Sequence, residues 1–212
     1  MKILDQPEGK VVVALSGGPD SAAAALFFAR VRRLEKVVHI SYKDDNPVLL
    51  SIVKDIAEGL GVALGIHNST MESPDSNKEA QWRTERYNYL WSIDAPVITG
   101  HNLDDCVETW LMSSLANPQK PKLIPYNTNN VYRPFLTVRK EELIAICDKA
   151  HLPYYDDPDN DDFGFLRPVV RHKILPLVYE HVNPGLPKQI SKMLREKHVN
   201  KYTDTSCPSG AP

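Results

Sequence analysis

Lys10 to Leu15 is an unbroken, largely β-branched run that stops at Ser16-Gly17-Gly18, the pattern of a strand buried on both faces. Ala22 to Leu34 carries apolar residues at helical spacing. Val37 to Tyr42 predicts a second strand, Val48 to Leu60 a helix closed by Gly61, and Val62 to His67 a third strand. After a polar loop from Asn68 to Asn77, the periodicity predicts a helix over Lys78 to Trp91, a strand over Pro96 to Thr99 and a helix over Asp104 to Leu115. Short strands are expected near Lys122 to Tyr126 and Tyr132 to Phe135, and a helix over Arg139 to Ala150. Strands that alternate with crossover helices imply an α/β fold, a doubly wound parallel sheet covered on both faces. Trp82, Trp91 and Trp110 fall at helical spacing and read as core.

The pattern changes at the Asp-rich stretch Asp156 to Asp162. Phe163 to Val182 and Pro187 to His198 then read as a proline-punctuated helical extension, and Thr203 to Pro212 as a disordered tail. The expected organisation is a catalytic α/β body over 1–162, a basic helical extension over 163–200 and the tail over 201–212. At 212 residues the chain is long enough for one sizeable core. Its longest apolar stretch is too short to span a bilayer, and the first five residues already reach an acid, so neither a membrane span nor a secretory signal is read and a cytoplasmic location is expected. Cys106, Cys147 and Cys207 are far apart, with no Cys-x-x-Cys, which removes support for disulfide frameworks, zinc ribbons and thiolate clusters. Charge is uneven. Residues 1–164 hold 17 Lys/Arg against 24 Asp/Glu, whereas residues 165–212 hold 8 against 3. A basic tail on an acidic body suits a polyanionic partner, with a merely solvated lysine-rich helix as the alternative.

Candidate chemistry begins at Ser16-Gly17-Gly18-Pro19-Asp20-Ser21, between the first strand and the first helix. Ligands of doubly wound sheets bind at the carboxyl ends of strands, where a glycine turn and a helix N-terminus can face an anion. A phosphate site is therefore expected, with Asp20 or Ser21 capping the helix as the structural alternative. No Gly-Lys-Ser/Thr and no Gly-x-Gly-x-x-Gly follows, which excludes the Walker and dinucleotide loops. Asp104, Asp105 and Glu108 share a first helical turn, and two of them share a face. Such clustered acids call for a cation, either Mg²⁺ or a substrate ammonium, unless they serve only the helix dipole. Arg83 and Arg86 lie on one face with Glu79. His101 has no second histidine at metal spacing. The run from Asp157 imitates the start of a calcium loop, but Asp162 and Pro168 stand where glycine and glutamate are needed. Arg167 and Arg171 are at i,i+4 if a helix continues past Pro168, a spacing suited to phosphate.

The hexapeptide resembles the pyrophosphate loop, Ser-Gly-Gly-x-Asp-Ser, of the ATP-pyrophosphatase (PP-loop) superfamily. Four further segments resemble the catalytic domain of the tRNA(Ile)-lysidine synthases: Glu79-Ala80-x-x-Arg83-x-x-Arg86-Tyr87-x-x-Leu90, His101-Asn102-x-Asp104-Asp105-x-x-Glu108-Thr109, Arg133-Pro134-Phe135-Leu136, and the block from Asp157 through Arg167 and Arg171 to Leu175-Pro176. The resemblance covers about residues 10 to 185. It departs at Ser41-Tyr42-Lys43-Asp44-Asp45, at Ala116-Asn117-Pro118 and at Pro168, and the family's additional C-terminal domains have no counterpart.

The resemblance implies ATP bound by Ser16, Gly17, Gly18, Asp20 and Ser21 with Arg83 and His101, and Mg²⁺ held at Asp20 and Asp105. It implies catalysis by Asp20, Asp104, Asp105 and Glu108. Free lysine would be received by Asp104, Asp105, Glu108 and Asp157, and tRNA would be the partner, met by Arg133, Arg167 and Arg171; the charge excess of the basic extension, rather than the resemblance, adds Lys188, Lys192 and Arg195 to the RNA contacts. A ligase that adenylylates a cytidine oxygen and then accepts the lysine amine is expected. tRNA thiolation, an amide synthetase like NAD synthetase, and a nucleotide-free RNA-binding protein are the alternatives; no cysteine pair is placed to carry sulfur. The oligomeric state, a homodimer included, is open.

Overall fold

The computed structural model describes residues 1–42, 46–69, 79–155, 163–164 and 166–203. Of the expected tail over 201–212, residues 201–203 end the last helix, and those from 204 onward, like the Asp157 region, lie outside the described residues. Six strands form one sheet among the described residues: β1 (Val11–Ala14), β2 (Leu34–Ser41), β3 (Ala63–Asn68), β4 (Val97–Ile98), β5 (Asn127–Thr128) and β6 (Val131–Tyr132). Their order is β3-β2-β1-β4-β6-β5. All neighbours are parallel except the β5–β6 hairpin, so the sheet is the expected doubly wound one with one antiparallel edge. The β-branched residues of β1 are fully buried, as a central strand covered on both faces requires.

Helix α1 (Pro19–Arg30) begins three residues earlier than the apolar pattern indicates, because Pro19 at its first position has φ preset for a helix. It ends at Arg30, and Leu34 pairs with Val11 as the first residue of β2. Ala22, Ala23, Ala24 and Ala25 are buried, and their small side chains let the helix lie close on the sheet. Phe27, Phe28 and Phe135 pack edge to face beneath it, with centroids 5.2 to 6.4 Å apart. Helices α2 (Pro47–Gly59), α3 (Glu79–Trp91), α4 (Leu103–Ala116) and α5 (Lys140–Lys149) follow. The strand expected over Lys122 to Tyr126 is absent. Pairing instead begins at Asn127, across a tight turn in which Asn129 takes a positive φ of 51°. Trp91 is 39% exposed and is not core, and Trp82 and Trp110 are only partly buried.

Beyond the body, one irregular helix runs over residues 166–182, here α6. Leu166–Val169 and Leu175–Leu177 are α-helical, and Val170–Ile174 and Val178–Val182 are wide π turns. Pro168 sits in the first turn, where a missing N–H costs nothing, so the helix does continue past it. Pro176 is interior, and the wide turn before it relieves the clash of its ring with the carbonyl four residues back. Helix α7 (Leu186–Thr203) closes the described chain. Val170, Leu175, Leu186, Ile190 and Leu194 bury against Leu103, Cys106, Val107 and Leu136, so α6 and α7 share a core with α4. No helix of the described residues is long and apolar enough to cross a membrane.

Candidate active site

Strands β1 and β4 are adjacent and parallel, yet the chain leaves β1 toward β2 on one side and β4 toward β6 on the other. Their carboxyl ends therefore open a crevice at the switch point of the sheet. Two loops meet there, residues 15–18 after β1 and residues 99–102 after β4. Gly17 has φ +88°, and a Cβ on it would lie 2.3 Å from Leu49 Cδ1 of α2, so only glycine fits. Ser21 Oγ accepts from the Ser16 amide at 3.1 Å, lies 3.0 Å from Ser16 Oγ and donates to the Gly18 carbonyl at 3.0 Å. The loop is thereby folded back on its own helix.

No side chain caps α1, whose N-cap is Gly18. The first turn thus has no side chain competing for its amides, as an anion site requires. The capping alternative for Asp20 and Ser21 does not hold. Gly100 closes the floor: a Cβ there would come within 2.7 Å of the Asp20 carbonyl carbon and 2.8 Å of the Ser21 amide nitrogen. Sequence reasoning met Gly100 only beside the His101 motif and gave it no role, and it passed over Asn46 and Tyr155. The Tyr155 amide donates to the Gly17 carbonyl at 2.9 Å, and its hydroxyl accepts from Asn46 Nδ2 at 2.9 Å.

Asp20 Oδ1 is buried with no hydrogen-bond partner among the described residues. Burial, reinforced by the charge of Asp105, pushes the Asp20 carboxyl up to about 7, against the opposing pull of Lys140, Asn102 and Arg171. The neighbouring cations do not fully offset burial and the second acid, which is the signal of a site that gains from a further cation or a phosphate-bound metal. Among the described residues no group of three or more His, Cys, Asp or Glu is arranged to hold a metal. A Mg²⁺ bound here would lean on phosphate oxygens with one or two carboxylates, the mode that ion prefers. Asp20, with its orphan oxygen, fits that requirement.

The three acids of α4 have separate jobs. Asp104 bonds to Arg139, with Oδ1 3.0 Å from Nη2 and Oδ2 3.2 Å from Nε, and its Oδ2 accepts from the Lys140 amide at 2.8 Å. It ties α4 to the start of α5. Asp105 completes a capping box with Asn102, each side chain accepting from the other's amide at 3.0 and 3.1 Å. Its Oδ1 lies 4.0 Å from Arg171. Glu108 is 1% exposed and receives Arg171 in a two-point bond, Nε at 2.6 Å and Nη2 at 3.1 Å. Arg167 Nε stands 3.7 Å from Glu108 and its Nη2 donates to Thr109 Oγ1 at 3.2 Å. Burial raises the Glu108 carboxyl, and the Arg171 pairing only partly offsets it. Arg167 and Arg171 therefore do converge on one anionic group, but within the described residues that group is Glu108.

A second group of side chains faces the same edge from α3 and β6. Arg133 is 3% exposed, and donates to Tyr87 Oη at 3.0 Å, the Pro125 carbonyl at 3.0 Å and Thr128 Oγ1 at 3.3 Å. Its placement is interior, not on an outer face. Arg83, Arg86 and Arg133 lie 5.1, 5.5 and 5.8 Å from the centre of the Tyr87 ring. Burial raises the Tyr87 phenol, but Arg133 beside it, their hydrogen bond and the charges of Arg86 and Arg83 outweigh that, and it sits below its ordinary value. His101 accepts or donates at Nδ1 to Thr99 Oγ1 over 2.9 Å. Burial and the charges of Arg133, Arg86, Arg167 and Arg83 keep it neutral, well below its usual range. The arrangement is a neutral imidazole among guanidiniums, suited to polyphosphate or nucleotide oxygens. Lys188, Lys192 and Arg195 lie on α7, apart from this crevice, around a groove that also takes in Arg139.

The comparisons agree with this geometry. A family model described as a PP-loop domain matches residues 1–178. The chain is 28% identical to a protein named tRNA(Ile)-lysidine synthase from Enterococcus faecalis, over 91% of this chain and 45% of that one. It is 32% identical to the protein of that name from Mycolicibacterium paratuberculosis (85% of this chain, 58% of that one) and 30% identical to one from Thermus thermophilus (82% and 36%). The chain thus spans about half the length of these curated relatives, or less. Among solved structures, an NMN synthetase from Francisella tularensis superposes with a TM-score of 0.51 at 13% identity, over 97% of this chain and 90% of that one, a likeness of fold.

Proposed function

The chain belongs to the PP-loop family, and from that premise we propose that it is an ATP-dependent tRNA-modifying ligase that joins free lysine to the wobble cytidine of tRNA(Ile), releasing pyrophosphate and then AMP. The observation that carries the proposal is the loop at the switch point. Glycine-only geometry at Gly17 and Gly100, an uncapped helix and the orphaned Asp20 oxygen support reading it as a cradle for pyrophosphate and its cation. The names of the relatives supply the choice of substrate class.

The chemistry is activation of a poor leaving group. In the first step the C2 oxygen of the cytidine attacks the α-phosphorus of ATP, a P–O bond forms and pyrophosphate leaves. In the second the lysine ε-amine attacks C2, loses a proton, and the oxygen departs with AMP. Ser16, Ser21 and the first-turn amides of α1 hold the pyrophosphate. Arg83 and His101 approach the nucleotide, His101 as a neutral donor or acceptor. Asp20 and Asp105 would hold Mg²⁺, which would supply neutralisation of the charge that develops on pyrophosphate. Asp104 and Glu108 already hold Arg139 and Arg171, so in this reading neither pairs with the lysine ammonium. Glu108 and Asp104 act by fixing α4, and Asp157, outside the described residues, is assigned to the lysine ammonium by the resemblance alone.

The test is nucleoside mass spectrometry of tRNA after incubation with ATP, Mg²⁺ and lysine. The expected result is a cytidine heavier by a lysine residue, with AMP and pyrophosphate formed only when tRNA is present. Pyrophosphate release without RNA would replace this reading by a small-molecule amide synthetase, and sulfur incorporation by a thiolation enzyme.

A further inference from the structure

Helix α7 carries Lys188, Lys192 and Arg195 at i, i+4 and i+7, a single stripe about 10 Å long at 1.5 Å per residue. Across from it stands Arg139, the residue preceding α5. Together with Leu103, Thr137, Pro187, Ser191 and Glu196 they line a groove of about 510 Å³. Its floor is fixed. Leu103 and the inner face of α7, Leu186, Ile190 and Leu194, belong to the core shared with α4. One end is tied by Lys2, whose carbonyl accepts from Thr137 Oγ1 at 3.1 Å and from Arg195 Nη2 at 3.3 Å.

The opposing charges are few. Glu196 lies 3.7 Å from Lys192, but both side chains are more than half exposed, at 60% and 78%, and such a pair is weak and salt-screened. Arg139 is held by Asp104 and approached by Glu141 at 3.8 Å, which orients it more than it leaves it free. Lys188 makes no ion pair among the described residues. The lining is thus cationic, offers the Ser191 hydroxyl as a further donor, and contains no aromatic ring on which a base could stack.

We propose that this groove is a docking surface for the sugar-phosphate backbone of RNA, separate from the crevice that holds the nucleotide. The stripe's length suits consecutive phosphates of one strand. With no aromatic ring in the lining, bases find no stacking platform and the contact runs through phosphates. The assignment also narrows the set of cations given to RNA by sequence. Arg133 is interior and Arg167 and Arg171 are bound to Glu108, so Lys188, Lys192 and Arg195 carry the contact, with Arg139 at its inner edge. Because Arg139 grips Asp104 in the first turn of α4, an RNA strand seated here lies next to the crevice. The proposal rests on the reading of the chain as an RNA-modifying enzyme for its partner class only.

The experiment measures tRNA affinity by fluorescence anisotropy over a range of salt, for the parent chain, for Lys188→Ala/Lys192→Ala/Arg195→Ala, and for a control triple, Lys10→Ala/Lys36→Ala/Lys149→Ala, placed away from the groove. Each phosphate contact contributes a log–log slope of roughly −0.7 to −0.9, so the groove variant flattens the slope by about two to three units while the control does not. ATP binding, followed separately by a fluorescent analogue, stays at the parental value. A groove variant with the parental slope overturns the proposal, as does a parent chain that binds no RNA at any salt. Equal loss in the control triple, or displacement of RNA by polyglutamate at equal charge concentration, also overturns it. If lysidine never forms and yet the slope is lost with Lys188, Lys192 and Arg195, the ligase reading fails and the docking surface stands.

Discussion

Asp20→Asn is expected to stabilise the chain in metal-free, nucleotide-free buffer, and to do so more as the pH rises. The Asp20 carboxyl is held up at about 7 against an ordinary 3.8, first by burial and then by Asp105. Between those values the unfolded chain has lost a proton that the folded chain keeps, so the folded state binds more protons and stability falls with rising pH. Above about pH 7 the full penalty is present; near pH 4 it has vanished. Taken whole, the difference corresponds to about 4 kcal/mol, at about 1.36 kcal/mol per pH unit. Lys140 and Arg171 remain beside the amide, and water reaches a crevice, so about half, roughly 2 kcal/mol, is the expected gain. For a chain of this length that is a rise in Tm of about 4 to 8 °C at pH 8. Thermal melts of parent and variant from pH 4.5 to 8.5 give the difference curve directly. It should climb through the interval and level off near pH 7. A flat difference, or one that falls with pH, would refute the account of Asp20 as a buried acid awaiting a cation. The same variant loses pyrophosphate release, so its stability and activity move in opposite directions.

Gly100→Ala places a methyl group 2.7 Å from the Asp20 carbonyl carbon, and should cost about 1 to 3 kcal/mol and abolish ATP turnover, read by melting and by pyrophosphate release. Glu108→Gln leaves Arg171 half-paired in a buried site and should lower stability by about 3 kcal/mol, whereas Glu108→Gln with Arg171→Met recovers part of the loss; denaturant titration of both variants separates a broken pair from a removed one. Tyr87→Phe should remove a phenol that ionises below its ordinary value in an ultraviolet pH titration, and cost about 1 kcal/mol through the orphaned Arg133 Nη2; an unchanged titration would remove Tyr87 from the arginine cluster.

The parallel body was legible because its strands are covered on both faces: Val11, Val12 and Val13 can be read as a buried strand without knowing any neighbour. The hairpin was not. Its strands are two residues long, and the turn Asn129-Asn130 is the only local mark of it. The glycine loop announced its chemistry through residue types that a turn alone does not require. Gly100 had no such signal, since its need for a missing side chain arises from Asp20 and Ser21, about 80 residues earlier in the chain. The arginines show the same boundary. The spacing of Arg167 and Arg171 revealed that they act together, but their partner Glu108 lies 63 residues away from Arg171, and helical spacing carries no information about it. Arg133 follows a strand, where sequence cannot say whether a side chain meets water or a buried phenol.

The shared core of α6, α7 and α4 makes the extension and the crevice reciprocal partners. Arg171 and Arg167 reach Glu108 directly, and Glu108 stands one turn from Asp105, so the link bypasses the sheet. Whatever orders the first turn of α4 also favours the bound arrangement of α6, and by linkage whatever steadies α6 returns the same free energy to the crevice. The wide turns at Val170–Ile174 and Val178–Val182 concentrate the most deformable backbone of the helix beside that link. Amide hydrogen exchange in 166–182 thus becomes a remote gauge of what happens at Ser16 to Ser21: occupancy of the crevice is written as protection some 150 residues along the chain.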